Sequence, residues 1–222
     1  MAGLTAPGSS EAAARAAEEK AFYHEAALNA SWTGARLAIG GLSFLFGSFA
    51  FAYFYLFSSN GHNMWLPSST RIPSNHYGEA IVVLVVVSAV IQTVGLQLIK
   101  GGKKGAWSLA AAVALVFGLA AVALQIVELL NLPFQPGASG FASVFTGFYP
   151  VALVTWLAAM VWLEILLARS RSIPAISFVE QPPTYAATQQ VQRFQSALSG
   201  FTVVWNYLAI VTFIFWLLFY VR

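Results

Sequence analysis

Five stretches of this chain each run for about 20 residues with almost no charge. That is the length a helix rising about 1.5 Å per residue needs to cross a hydrocarbon core roughly 30 Å thick. They extend from about Leu37 to Phe57, Ala80 to Ile99, Ala106 to Leu130, Phe145 to Leu167 and Ala197 to Val221. Unpaired backbone polar groups are too costly in lipid, so each segment must be a helix or a strand of a closed barrel. The runs are continuously apolar and lack the alternation of barrel strands. The expected fold class is an all-α membrane protein: a five-helix transmembrane domain over residues 35–222, preceded by a cytoplasmic N-terminal surface helix over 1–34. Composition agrees, with 59% of the 222 residues hydrophobic, 9% charged and a mean hydropathy of +0.72.

The charges speak to topology rather than to a nucleic-acid partner, since the net charge is only +3 and the bases are scattered. Arg15, Lys20, Arg36, Lys100, Lys103, Lys104, Arg169, Arg171 and Arg193 fall on the side of the N-terminus; Arg71 and Arg222 fall on the other. Basic residues concentrate in cytoplasmic loops, which predicts a cytoplasmic N-terminus and an external C-terminus, as an odd number of spans requires. The first 30 residues have no apolar core and are rich in Glu, so no signal peptide is expected, and a bacterial inner membrane suits such a chain.

The connections differ in kind. Residues from about Ser9 to Leu28 read as a cytoplasmic surface helix with Ser9 or Ser10 as its N-cap and Glu11, Glu18 and Glu19 among alanines. Lys100-Gly-Gly-Lys-Lys-Gly is a tight basic turn without the strand and spacing of a phosphate loop. Asn131-Leu-Pro-Phe-Gln-Pro-Gly is an uncharged turn, and Ser170 to Ser196, carrying Pro174, Pro182 and Pro183, is expected to be partly extended.

Helices in lipid associate through close packing of small residues and a few hydrogen bonds. Two stripes recur at helical spacing and are expected to mark seams: Gly40, Ser43, Gly47 and Ala50 on the first span, and Ala110, Ala114, Gly118 and Ala121 on the third. The first span also carries Phe44, Phe46, Phe49, Phe51, Tyr53, Phe54, Tyr55 and Phe57, more aromatic area than one small bundle covers. Lipid on one side and a protein partner on another would both account for it.

Ionisable groups inside a bilayer are the default places to look for function. Glu128 lies one helical turn after Gln125 on the same face, a small polar site that must find partners in the protein or in a bound lipid. Glu164, near the other end of the fourth span, reaches the interface or pairs with Arg169. The histidines, His24, His62 and His76, all fall outside the spans, where they are poorly placed to ligate haem in the bundle. Cysteine is absent, which excludes disulfides and thiolate chemistry, and no nucleophile, metalloprotease, P-loop or dinucleotide motif occurs.

Several local patterns occur in an order that resembles the short, five-helix form of subunit III of haem-copper respiratory oxidases. Ser43-Phe-Leu-Phe-Gly-Ser-Phe-Ala-Phe-Ala-Tyr-Phe resembles that form's aromatic first span, Tyr53 included. Gln125-Ile-Val-Glu128 resembles its Gln-x-x-Glu at the end of the third span. Phe141-Ala-Ser-Val-Phe-Thr-Gly-Phe148 resembles its Tyr-Gly-Ser-Val-Phe followed by Thr-Gly-Phe, and Trp205-Asn206-Tyr207 stands where the family has Trp-His-Phe. The chain departs from the family at Gly41 to Ser43, where a Glu is usual, at Tyr149 and Ala152, where two histidines are usual, and at Asn206 and Ala209, in place of His and Asp.

The resemblance, over roughly residues 37–222, implies a subunit without redox centres or catalytic and metal-binding residues of its own. It would pack against subunit I, which carries the haems and copper, reduces oxygen and pumps protons, and it would hold membrane lipids. Tyr53, Gln125, Glu128, Trp205 and Asn206 are then structural or lipid-binding candidates. A subunit III-like accessory protein of a quinol oxidase or nitric oxide reductase is the variant within the family. The alternative outside it is a small oligomeric transporter or channel, with Gln92, Gln97, Gln125, Glu128, Thr155, Glu164 and Asn206 as its polar pathway.

Overall fold

The computed structural model describes residues 7–68, 71–178 and 185–221. These form five long helices: α1 (Pro7–Ser58), α2 (Asn75–Lys100), α3 (Lys104–Leu130), α4 (Gly140–Arg171) and α5 (Tyr185–Tyr220). Single 3-10 turns lie at Gly61–Asn63 and Ala175–Phe178, and no strand occurs among the described residues. All five helices are long and apolar enough to cross a membrane.

Two boundaries differ from the sequence expectation. The N-terminal surface helix and the first span are one helix of 52 residues, about 78 Å long and more than twice the thickness of the hydrocarbon core. Ser9 and Ser10 therefore lie inside it rather than at its start. No proline interrupts residues 29–36, and Asn29, Ser31, Thr33 and Gly34 do not stop the helix, so it propagates into the span. Likewise α5 starts at Tyr185, taking in a stretch expected to belong to an extended loop. Only a short connection around Ala175–Phe178 is described there; Pro182 and Pro183 lie outside the described residues.

The helix ends show why the turns fall where they do. After α2, Gly102 has φ +78, its N–H bonds the Ile99 carbonyl at 2.9 Å and the Lys103 N–H bonds the Leu98 carbonyl at 2.9 Å. This is a Schellman termination, and its left-handed residue strongly favours glycine. At the start of α4 the Ser139 hydroxyl accepts from the Ala142 N–H at 3.1 Å. The Gly140 and Phe141 N–H groups bond the carbonyls of Met64 and Trp65 at 3.2 and 3.1 Å. The α1–α2 loop thus satisfies donors that a helix start leaves open, and it buries Trp65 between Tyr53 and Phe141.

The most buried helix is α5, and α1 is the least buried. α2 and α3 form a hairpin, and α5 packs against α1, α2 and α4. α1 and α5 run parallel at a constant offset of 165 residues: His24 meets Gln189, and the Tyr53 hydroxyl donates to the Leu218 carbonyl at 2.7 Å. Between them, Gly200 lies so close to Ala35 that a Cβ added there would sit 2.9 Å from the alanine Cβ. The inward residues of α1 are Leu28, Trp32, Ala35, Ile39, Leu42, Phe46, Phe49, Tyr53 and Leu56, alternating spacings of four and three. That 3.5-residue repeat keeps two helices in register over a long contact.

The two small-residue stripes fare differently. On α3, Ala114, Gly118 and Ala121 are buried, and Gly118 admits Met160 and Trp205. On α1 the expected seam faces outward: Gly40, Ser43 and Gly47 are exposed, and only Ala50 is half-buried. Bulky Leu42, Phe46, Phe49 and Tyr53 take the seam instead, and the close approach at Gly200 lies further toward the start of α1, against Ser31, Trp32 and Ala35. Of the aromatic residues between Phe44 and Phe57, Phe46 and Tyr53 are buried, Phe49 is half-buried, and Phe44, Phe51, Phe54, Tyr55 and Phe57 remain exposed.

Candidate functional site

Among the described residues, Glu128 is the acidic residue buried most completely, 2% exposed near the end of α3, with Gln125 at 3% one turn before it. A carboxyl group in such a place requires hydrogen-bond donors. The phenol of Tyr220, at the end of α5, donates to Glu128 Oε1, and the Tyr149 hydroxyl of α4 lies 2.7 Å from the Tyr220 hydroxyl. Each phenol has one proton. With the Tyr220 proton committed to Glu128, Tyr149 must donate to Tyr220, so the bonds run Tyr149 to Tyr220 to Glu128. Three helices are tied by one polar chain.

The packing around this chain explains how Tyr220 gets in. Gly78 of α2 faces the ring, and a Cβ there would lie 2.7 Å from it and 3.0 Å from Trp216. Tyr149 stacks on Phe145 with centroids 4.1 Å apart, and Phe148 stacks on Phe215 at 3.9 Å. A cavity of about 10 Å³ beside Gln125, Tyr149 and Thr212 is at the lower limit for one water molecule. Glu128 Oε2 makes no hydrogen bond among the described residues.

A second polar cluster sits in the middle of the bundle. Trp205 is fully buried and its indole N–H donates to Ser88 Oγ at 3.1 Å, while Ser88 donates to the Ala114 carbonyl at 2.8 Å. Trp156 packs edge-on against Trp205 at 4.9 Å and donates to Thr212 at 3.2 Å. Gln92, one turn from Ser88, is fully buried, and its carboxamide makes no hydrogen bond among the described residues. Near the ends of α4 and α5 where the chain's N-terminal half of α1 also lies, a cleft of about 510 Å³ is lined by Arg169, Arg193, Gln189, Gln190, Ser31 and Ser172 with Phe194 and Leu166 beneath.

The five candidates from the sequence do not form one site. Gln125 and Glu128 share the tyrosine cluster, and Tyr53 closes the α1–α5 seam. Trp205 belongs to the central network, while Asn206 pairs with Thr93 on the outer surface of α2 and α5, its Nδ2 3.0 Å from Thr93 Oγ1. Glu164 is exposed and makes no ion pair with Arg169. Sequence reasoning missed Tyr220, Ser88 and Thr93, whose hydroxyls are ordinary until a distant residue meets them. Compared with known proteins, the chain matches no family model and no curated protein.

Proposed function

We propose that this chain is a non-catalytic subunit of the subunit III type in a haem-copper terminal oxidase, packing against and stabilising the catalytic subunit I in a bacterial inner membrane. The carrying observation is the Gln125-Ile-Val-Glu128 pair, which stands at the end of the third of five spans and is buried under Tyr149 and Tyr220. Thr202 and Ser170 bond within their own helices, while several other polar side chains inside the bundle spend their hydrogen bonds on joining helices, as the Trp205–Ser88 and Trp156–Thr212 pairs do. That is the use a structural subunit makes of them. Haem and copper belong, in this reading, to the partner subunit.

The exposed aromatic flank of α1 supplies surface for a protein neighbour, and the cleft with Arg169 and Arg193 supplies charge for lipid head groups. The test is an affinity pull-down of the full chain from native membranes in mild detergent, with a reduced-minus-oxidised visible spectrum and mass spectrometry of what accompanies it. Haem bands together with a large polytopic partner are expected. A colourless preparation with no such partner overturns the reading and favours an independent oligomeric membrane protein.

A further inference from the structure

We infer that the groove between α2 and α5 is a docking surface for a second copy of this chain, with Asn206 at the twofold axis. The groove measures about 630 Å³ and is walled by Val86, Val90, Val94, Ile210 and Phe213, with Asn206 and Thr93 as its polar groups. The Thr93 hydroxyl has one proton and two acceptors in reach, the Ala89 carbonyl at 2.9 Å and Asn206 Oδ1 at 3.2 Å. Asn206 spends one of its two N–H donors on Thr93. At least one amide donor and one carbonyl lone pair are left over on a half-buried residue midway along a membrane helix, where an acyl chain offers neither.

Three observations choose the occupant. The outward stripe of α5 is Val203, Asn206, Ile210, Phe213 and Leu217, spaced three, four, three and four, an apolar seam broken by one asparagine. In parallel helix pairs a single polar residue in such a seam fixes register and oligomeric state. The leftover groups of the amide, a donor and an acceptor, are complementary to themselves. Two copies inserted in the same bilayer also present α5 in parallel and at the same depth, so Asn206 meets Asn206 without adjustment, which is the condition for an isologous twofold contact. Ala89 and Ala209 at the groove floor leave room for the approaching ridge.

The chain contains no cysteine, so single-cysteine variants report contacts cleanly. Ile210→Cys and Phe213→Cys, expressed as full chains in native membranes and oxidised with copper phenanthroline, are expected to yield a thiol-reversible homodimer. Val116→Cys, exposed on α3 away from the groove, is expected to yield none. In the Ile210→Cys background, Asn206→Leu is expected to lower the dimer yield about tenfold at equal chain density. The inference is overturned by no dimer from either seam position, by equal dimer from Val116→Cys, by adducts with a different protein, or by an Asn206→Leu chain that dimerises as well as its parent. The first two variants keep Asn206, so the result stands even where its replacement disturbs folding.

Discussion

Removing the Tyr220 hydroxyl breaks the polar chain at its middle. Tyr220→Phe takes away the donor to Glu128 Oε1 and the acceptor for Tyr149 together, whereas Tyr149→Phe removes only the outer bond. Interhelical hydrogen bonds in membrane proteins contribute about 0.6 kcal/mol on average and up to about 1.7. Leaving a buried carboxyl group without a donor falls at the upper end of the cost of a lost bond, about 1–3 kcal/mol. Tyr220→Phe should therefore destabilise by about 2 kcal/mol, and Tyr149→Phe by about 0.6. Reversible unfolding in mixed micelles with increasing SDS, followed by helical circular dichroism and tryptophan fluorescence, measures both. A double-mutant cycle of Tyr220→Phe with Glu128→Leu should show a coupling near 1 kcal/mol, while Tyr220→Phe with a distant change at Ser88 should be additive within about 0.5 kcal/mol. A Tyr220–Glu128 coupling below about 0.3 kcal/mol, or equal costs for the two phenols, refutes the directed chain.

Further outcomes follow from single contacts. Glu128→Gln should disturb assembly or lipid content of a purified complex if the carboxyl group is structural, and parent-like values would refute that role, while Glu128→Leu should lose stability by about 1 kcal/mol in the same micelle titration. Gly200→Leu should push α1 off α5, because even a Cβ already meets Ala35 at 2.9 Å and the Ser31 carbonyl at 3.1 Å; protease sensitivity of residues 11–35 should rise, and an unchanged digest would refute it. Gly102→Ala must hold a side chain at φ +78 and should cost about 1 kcal/mol, measured as a shift in the unfolding midpoint, whereas Gly105→Ala, with open space around it, should be nearly neutral.

The sequence alone determined that this chain makes five membrane helices, because continuous apolar length is a local property and lipid permits no other structure for it. Local chemistry also settled the turn after α2, where two glycines follow Lys100. It also singled out Gln125 and Glu128 as a polar pair, since polar residues are rare in such segments. It could not say what closes over them. Tyr220 lies 92 residues beyond Glu128 and Tyr149 lies 71 before Tyr220, and nothing in either neighbourhood marks the meeting. The same limit explains the stripe on α1. A three-and-four spacing defines a face of a helix but not what that face touches, and here the bulky face with Phe46 and Tyr53, not the small one, meets the bundle. The boundary between the N-terminal surface helix and the span leaves no break in the backbone for a related reason: a sequence shows where lipid must begin, but a helix runs on through that point unless something stops it. Only the packed structure, with α5 lying against three other helices, decided which faces are seams, which hydroxyls serve Glu128, and that Asn206 and Thr93 stand together at the surface.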